Sequence, residues 1–292
     1  MRRLLAALLA FAFFAGASLA EDPGPPTPHP ALWRVTGKNC TVYLLGSVHI
    51  LTPTLVWRDE RIDKAVHDAD TFYFETALDM PAVQKYIADK GTLPPGESLR
   101  AMLPPDSQKD LDDDIATLGV PEAAIDGRRP WLATIAMTGI KLFKSGTTPS
   151  AGVDVSIMAD AKALGKPLRY FETIDQQMAL LAPDDPKAEL KAFEQFLKSF
   201  RKDDSEPGPM FDAWVTGDDD KLASLLMKGF DKHPDARKAM LDDRNKAWVK
   251  TLEGVLDGES GTFLVTVGAG HLLTERGVPA LLRKDGYKVE RV

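Results

Sequence analysis

Two short patterns at the ends of apolar runs each occur twice in this chain. Residues 46–49 and 268–271 read Gly-Ser-Val-His and Gly-Ala-Gly-His, and both follow a run of apolar residues. Residues 73–76 and 170–173 both read Tyr-Phe-Glu-Thr, so each glutamate follows two aromatic residues. Short apolar runs bounded by turn residues are typical of buried β-strands. The sequence therefore predicts four strands, each with a histidine or a glutamate just beyond its end.

The two histidines are the first candidate ligands. A Gly-x-x-His turn after a strand places the imidazole at the carboxyl end of that strand, which is where open α/β sheets bind ligands. Gly46 and Gly268 permit a tight turn and a close approach of the backbone to a bound ion or substrate. A single turn histidine is usually structural. The matched contexts of His49 and His271, which the other three histidines lack, favour one shared site.

The two glutamates have two possible roles. Glu75 and Glu172 follow aromatic residues at strand ends, where an unpaired carboxylate is costly to bury. Each could belong to a site at the sheet edge. Each could instead place its negative charge at the start of a helix, because Thr76 and Thr173 look like the first residues of helices. Thr173 and Gln176 also form a capping-box pattern.

Together these four side chains predict a metal site. Two imidazoles with one or two carboxylates suit Zn²⁺, Mn²⁺ or Fe²⁺ and leave coordination positions open. A glutamate that is not a ligand could act as general base towards a water molecule. The spacing does not match the His-Glu-x-x-His helix of common zinc proteases. For one shared ion, the side-chain tips should lie within roughly 4–6 Å of a common point.

Four further residues need an interpretation. Asp154 opens a predicted helix, where its charge either favours the helix terminus or belongs to the site. Arg244, followed by Asn245 in another predicted helix, could hold a carboxylate, could stabilise an oxyanion, or could be a solvated helix charge. Cys40 is the only cysteine, so no disulfide can form within the chain, and we expect it to be a structural residue at a strand end.

The first thirty residues differ in composition from the rest. Arg2 and Arg3, the apolar run 4–17 and Ser18-Leu19-Ala20 predict a signal peptide over residues 1–20. A Pro-rich leader follows over residues 21–30. We therefore expect a periplasmic or secreted protein with no stable membrane span after cleavage. The net charge of −7 argues against a nucleic-acid partner.

Residues 31–292 are expected to form a single α/β domain. Predicted strands cluster at 31–75, 167–172 and 262–292, and predicted helices fill the gaps. This pattern predicts a small central β-sheet with long helical insertions. The order histidine, glutamate, glutamate, histidine excludes a simple tandem duplication, although the matched Gly-x-x-His strand ends still suggest pseudo-symmetry around one site.

Eight short motifs carry a family resemblance. They are Leu32-Trp33, residues 45–49, Phe74-Glu75, residues 152–154, residues 171–177, Arg244-Asn245, residues 267–272 and residues 281–289. In these motifs the chain resembles the TraB/GumN (TraB/PrgY/GumN) family, which includes the Tiki metalloproteases. The resemblance covers most of the chain beyond the leader.

The resemblance implies a metal-dependent hydrolase centred on the two Gly-x-x-His histidines and a glutamate. The Tiki members are peptidases that use Mn²⁺ or Co²⁺, so a peptide or protein substrate and a Mn, Co or Zn ion are expected here. The family fold is related to erythromycin-esterase-like and ChaN-like proteins, and the latter are linked to haem or iron. The alternative is therefore a non-catalytic periplasmic protein that binds a peptide, a metal or haem. A role in envelope assembly has no support in the sequence beyond the family name.

Overall fold

The computed structural model describes residues 27–182, 185–200, 208–231 and 234–292. The predicted signal peptide (1–20) and residues 21–26 of the predicted leader lie outside this part of the chain. Within it, six strands form one sheet in the order β4-β3-β5-β2-β1-β6. The strands are β1 (Leu32–Thr36), β2 (Asn39–Ser47), β3 (Thr71–Phe74), β4 (Leu168–Tyr170), β5 (Ser260–Gly268) and β6 (Lys288–Arg291).

The first four strands in this order, β4, β3, β5 and β2, run in the same direction. β2 pairs in parallel with β5, β5 with β3, and β3 with β4, whereas β1 and β6 add an antiparallel edge. β1 and β2 form an antiparallel hairpin. Because the parallel strands end at the same side, the residues that follow β2, β3, β4 and β5 share one edge of the sheet.

Helices follow most strands and fill the long intervals between them. The first seven are α1 (Glu60–Asp68), α2 (Met80–Lys90), α3 (Leu99–Met102), α4 (Pro105–Leu118), α5 (Ala123–Asp126), α6 (Pro130–Lys144) and α7 (Val153–Ala163). The others are α8 (Ile174–Leu181), α9 (Pro186–Phe200), α10 (Gly208–Thr216), α11 (Asp219–Lys228), α12 (Pro234–Arg237), α13 (Asp243–Gly258) and α14 (Val278–Lys284). A π-helical turn, Lys238–Asp242, joins α12 to α13. None of the helices in the described ranges is both long and apolar enough to cross a bilayer.

Two apolar clusters hold the chain together. The larger one lies on the sheet and includes its central strands, with side chains such as Leu44, Phe72 and Leu264 almost completely buried. The smaller one is formed by helices of the long insertion, around Leu111 and Phe193. The predicted α/β class, with a central sheet and long helical insertions, is confirmed. The ChaN-like and pseudo-symmetric relationships stay predictions.

Candidate active site

The strand ends bring the four predicted ligand positions to one edge, as the sequence indicated. β2 and β5 are neighbours whose register pairs Ser47 with Gly268, so both Gly-x-x-His turns leave the sheet side by side. On the other side of β5, the backbone N–H of Glu172 donates to the carbonyl oxygen of Glu75 at 2.9 Å. The two glutamates therefore follow adjacent strands and lie next to each other.

Three of the four side chains meet at Gly268. A Cβ atom built on this glycine would lie 3.2 Å from Oε1 of Glu75, 3.7 Å from Nε2 of His49 and 3.6 Å from Cδ2 of His271. Oε1 of Glu75 and Nε2 of His271 are themselves 3.9 Å apart. A side chain at position 268 would fill the space between these groups, which explains the glycine at this strand end.

Arg244 binds Glu172, the fourth of these side chains, and also contacts Glu75 and His271. Its Nε and Nη2 atoms donate to the two oxygens of Glu172 at 2.7 and 2.9 Å, and Nη2 also donates to Oε2 of Glu75 at 2.7 Å. Its Nη1 atom lies 3.0 Å from both Nε2 of His271 and the carbonyl oxygen of Met240. A guanidinium has five N–H groups, and all five are engaged within the protein.

The surroundings of the two glutamates differ. Two neighbouring buried carboxylates repel each other, and the guanidinium of Arg244 compensates their charge. Glu172 accepts hydrogen bonds from Arg244 and from Nε1 of Trp248, at 3.0 Å, and lies beneath Arg244. Glu75 faces the histidines instead. The predicted oxyanion role of Arg244 would require it to give up one of its present partners.

Asn245 orients the ring of His271. Its Nδ2 atom donates to the carbonyl oxygen of Arg276 at 2.9 Å, so its Oδ1 atom faces Nδ1 of His271, 2.6 Å away. Nδ1 of His271 therefore carries the hydrogen, and the lone pair of Nε2 accepts from Arg244. Burial lowers the pKa of His271 to about 4, and the charge of Arg244 acts in the same direction against the opposing effect of Glu75. His271 is thus neutral at neutral pH.

His49 has the opposite electrostatic environment. Its Nδ1 atom lies 2.9 Å from Oδ1 of Asp154, in the first turn of α7. Gly152 lets α7 approach, because a Cβ atom there would lie 2.3 Å from the carbonyl oxygen of His49. The hydrogen bond to Asp154 raises the pKa of His49 above its usual value, against the effect of desolvation. The side chain of His49 is 58% exposed and lines the cleft described below.

Glu75 is an ionised carboxylate held by three donors. Its Oε1 accepts from the backbone N–H of Gly268 at 2.7 Å, and its Oε2 accepts from Arg244 and from Nε2 of Gln177, the latter at 3.2 Å. Burial acts to raise the pKa of Glu75, but the positive charges around it and the N–H of Gly268 outweigh burial and hold the pKa well below its usual range.

Of the two roles left open for the glutamates, the contacts favour the site. Both carboxylates bind Arg244, and Thr76 does not open a helix, since α2 begins at Met80 with Asp79 as its cap. Thr173 does cap α8, in the capping box predicted with Gln176. The tertiary ion pairs with Arg244 therefore decide where the two carboxylates point.

Two contributing residues were not among the predicted site residues. Gln177 holds Glu75, as described above. Trp248 donates to Glu172, lies under the guanidinium of Arg244 at 4.7 Å and packs against the ring of His271, with centroids 4.3 Å apart. Positions 244 and 248 are one helical turn apart and therefore on one face of α13, a spacing that could have identified Trp248.

The metal site stays a prediction. In the described ranges, no group of three or more His, Cys, Asp or Glu side chains is placed so that it could hold a metal ion. The tips of Glu75, His49 and His271 nevertheless meet at Gly268, and each imidazole has its Nδ1 atom bound to another side chain. Nε2 of His271 accepts from Arg244, so an ion at this atom would have to replace that hydrogen bond.

A cleft of about 710 Å³ opens above these residues. Its floor is the sheet edge, with His49, Glu75, Arg244 and His271. Two floor hydroxyls, Oγ1 of Thr76 and Oγ1 of Thr266, are buried without a hydrogen-bond partner. Its walls come from α7, α8, α11 and the π-helical turn, and the large apolar side chains on them include Met158, Leu180, Leu181, Leu226, Met227 and Leu241.

Comparison with known proteins places this geometry in a family context. The sequence model of the TraB/PrgY/gumN family matches residues 31–291. The chain is 22% identical over 254 residues to the uncharacterized protein YbaP of Escherichia coli (strain K12), covering 87% of this chain and 92% of that protein. The uncharacterized protein YbaP of Shigella flexneri matches with the same identity and coverage. No solved structure matches the chain significantly.

Proposed function

The chain belongs to the TraB/PrgY/gumN family, and from that premise we propose that it is a metal-dependent hydrolase of the metallopeptidase kind. In this proposal, Nε2 of His49, Nε2 of His271 and Oε1 of Glu75 are the ligands of one divalent ion, with Mn²⁺, Co²⁺ and Zn²⁺ as candidates. Imidazole and carboxylate ligands suit these ions.

One observation carries the proposal. Each imidazole has its Nδ1 atom bound to a second side chain, His49 to Asp154 and His271 to Asn245. Metal-binding histidines usually have such an outer partner, which fixes the ring and its tautomer and leaves the other nitrogen for the metal. Here Nε2 of His49 and the ring of His271 both lie near Gly268, where Glu75 projects, and a bound ion would replace the hydrogen bond from Arg244 to Nε2 of His271.

A bound metal would polarise a carbonyl oxygen of the substrate and acidify a water molecule. Asp154 and Asn245 would hold the two rings in position while the reaction proceeds. Glu172 and Trp248 would fix Arg244, and Arg244 and Gln177 would fix Glu75. The walls of the cleft would exclude water from the scissile bond, which strengthens every charge interaction at the floor.

Metal content tests the proposal directly. Protein reconstituted with Mn²⁺, Co²⁺ or Zn²⁺ and desalted is expected to retain about one ion per chain, and the double variant His49→Ala/His271→Ala is expected to retain none. His67→Ala, an exposed position on α1, is the matched control and should retain the ion. Equal and low metal content in the wild type and the double variant would contradict the metal site.

Turnover tests the hydrolase part. We expect cleavage of a mixed peptide library by the metal-loaded protein, and loss of cleavage in Glu75→Gln. A metal-loaded protein that cleaves no peptide and no ester would contradict the proposal.

The second candidate is a binding protein for a peptide, a metal or haem. It is favoured by one observation, the complete use of the N–H groups of Arg244 within the protein, which leaves this cation no donor for a reacting oxygen. A haem titration that gives a Soret band without metal-dependent turnover would support this candidate over the hydrolase.

We also propose that the protein acts in the periplasm or outside the cell. Support comes from Arg2-Arg3, the apolar run 4–17 and the small residues before Glu21. Amino-terminal sequencing of the protein from the periplasmic fraction should begin at Glu21. A sequence that starts at Met1 in protein from the cytoplasm would contradict the proposed location.

A further inference from the structure

The fold leaves a large apolar surface unburied on the walls of the cleft. Leu180 and Leu181 on α8, Leu226 and Met227 on α11, and Leu241 on the π-helical turn are each only half-buried. Exposed apolar side chains are normal when scattered, but a contiguous apolar patch marks a binding surface. The cleft volume of about 710 Å³ lies within the usual range of small-molecule sites, roughly 300–1,000 Å³.

The floor of the same cleft is polar. The hydroxyls of Thr76 and Thr266 are buried, with residue exposures of 8% and 1%, and have no hydrogen-bond partner. Buried hydroxyls normally have a partner, because leaving one unpaired costs free energy. The partly exposed imidazole of His49 lines the same cleft. The cleft therefore matches a ligand with a polar end and a long apolar body.

The chemistry of the walls distinguishes between two kinds of apolar body. A peptide carries an N–H and a C=O group at almost every residue, and each needs a partner when it is buried. Most of the wall side chains are aliphatic, aromatic or thioether groups, which cannot provide such partners, and the polar ones, Asp154 and Gln177, are bonded to His49 and Glu75. An alkyl chain has no polar groups to satisfy. Methionines on the wall, such as Met158 and Met227, can adapt to a flexible chain.

We propose that the cleft binds a fatty acyl chain, with the acyl carbonyl or carboxylate on the floor beside Thr76, Thr266 and His49. The substrate class is then an acylated molecule whose scissile carbonyl lies at the floor and whose alkyl chain lies along α8 and α11. This inference keeps the hydrolase of the proposed function but replaces its peptide substrate by an acylated molecule, and it rests on the proposed function only for the position of the scissile bond. Binding of the chain itself requires neither a metal nor turnover.

Displacement of a fluorescent fatty acid tests the inference. Chelator-treated protein should bind cis-parinaric acid, and octanoate, dodecanoate and palmitate should displace it with rising potency. Each added methylene should increase affinity by up to about fourfold, as expected from the burial of one CH₂ group. An acetylated, uncharged peptide of Leu and Val should displace the probe at least about tenfold more weakly than palmitate. An equal or greater potency of the peptide would overturn the inference in favour of a peptide occupant.

Two wall variants and one control locate the binding. Met227→Glu places a charge on the wall and should weaken binding about tenfold or more. Val155→Trp fills space next to α7 without adding a charge, and it should abolish palmitate binding more than octanoate binding. Phe143→Glu changes an apolar residue that is 68% exposed on α6, outside the cleft, and should bind as the wild type does. Unchanged binding in both folded wall variants would overturn the inference.

The proposed function can fail separately. Glu75→Gln should lose turnover and keep probe binding. Probe binding without any turnover in metal-loaded wild type would contradict the hydrolase and leave the acyl site in place. Metal-dependent peptide cleavage without probe binding would overturn the acyl site and leave the hydrolase in place.

Discussion

Arg244 and Glu172 form a bidentate ion pair, in which Nε and Nη2 of the arginine donate to the two carboxylate oxygens at 2.7 and 2.9 Å. Both side chains are nearly buried, at 12% and 11% exposure. Removing one partner of such a pair leaves an uncompensated buried charge, which typically costs about 3–5 kcal/mol. We therefore expect the stability of the protein to depend strongly on the guanidinium of Arg244.

We predict that Arg244→Met lowers the free energy of unfolding by about 3–5 kcal/mol. Glu172→Gln alone should also destabilise the protein, and the double variant should cost less than the sum of the two single variants. Urea unfolding gives the three values. The matched control is Arg34→Met, which breaks an exposed pair with Glu290 and should cost at most about 1 kcal/mol. Equal costs for the two arginines, or additive costs at 244 and 172, would contradict the prediction.

We predict that in Asn245→Ala the ring of His271 is no longer restricted to one tautomer. The buried Nδ1–H would lose its acceptor, at a cost of about 1–3 kcal/mol in stability, and loss of an outer partner typically costs about 10–100-fold in metal affinity. Nitrogen-15 NMR of the imidazole should show one Nδ1–H tautomer in the wild type and a mixture in the variant. Asn39→Ala, at an exposed position, serves as the control. An unchanged tautomer in Asn245→Ala would show that Asn245 does not determine the tautomer of His271.

Stability of the metal-free protein should fall in mild acid because of His271. The pKa of this histidine is lowered in the folded state to about 4, from 6.5. Below pH 6.5 the unfolded chain therefore binds a proton that the folded chain does not, and this favours unfolding until the pH passes the folded pKa. The loss should reach roughly 2 kcal/mol by pH 4.5.

Urea unfolding at pH 7 and pH 4.5, in the presence of a chelator, measures this effect. His271→Gln should reduce the difference between the two pH values by roughly 2 kcal/mol. His67→Gln, at an exposed position on α1, should keep the wild-type difference. The same pH dependence in His271→Gln and in the wild type would mean that other groups cause it.

The thiol of Cys40 should be unreactive in the folded protein. It is 7% exposed, its Sγ atom donates to the carbonyl oxygen of Val255 at 3.5 Å, and burial raises its pKa. Since the thiolate is the reactive form, labelling by Ellman's reagent at pH 8 should wait for local opening of the chain. Labelling should be complete at once in concentrated urea. Immediate stoichiometric labelling of native protein would contradict the burial of this strand end.

The sheet and the location of the site could be predicted because their determinants are local. Apolar runs with turn residues at their ends predict strands, and the carboxyl ends of parallel strands meet at one edge. These local patterns predict that His49, His271, Glu75 and Glu172 lie at the same edge of the sheet. It also explains why Gly46 and Gly268 follow β-strand residues at the two histidine turns.

The pairing within the site could not be predicted because it depends on contacts between distant parts of the chain. Arg244 is 72 positions from Glu172 and 169 from Glu75, and no local pattern shows that one guanidinium would bind both. For the same reason the sequence left helix capping open as a role for the glutamates. The apolar walls of the cleft come from four separate segments, so their meeting is also a tertiary property.

The position of β5 in the sheet has a consequence for how the chain is made. This strand lies between β2 and β3, yet it is the fifth strand in the chain and begins only at Ser260. Until the ribosome has released nearly the whole chain, β2 and β3 lack the neighbour that joins them. Pairings between such distant segments also form slowly. For a protein that is exported, as proposed above, this strand order would delay the completion of the sheet until nearly the whole chain has been made.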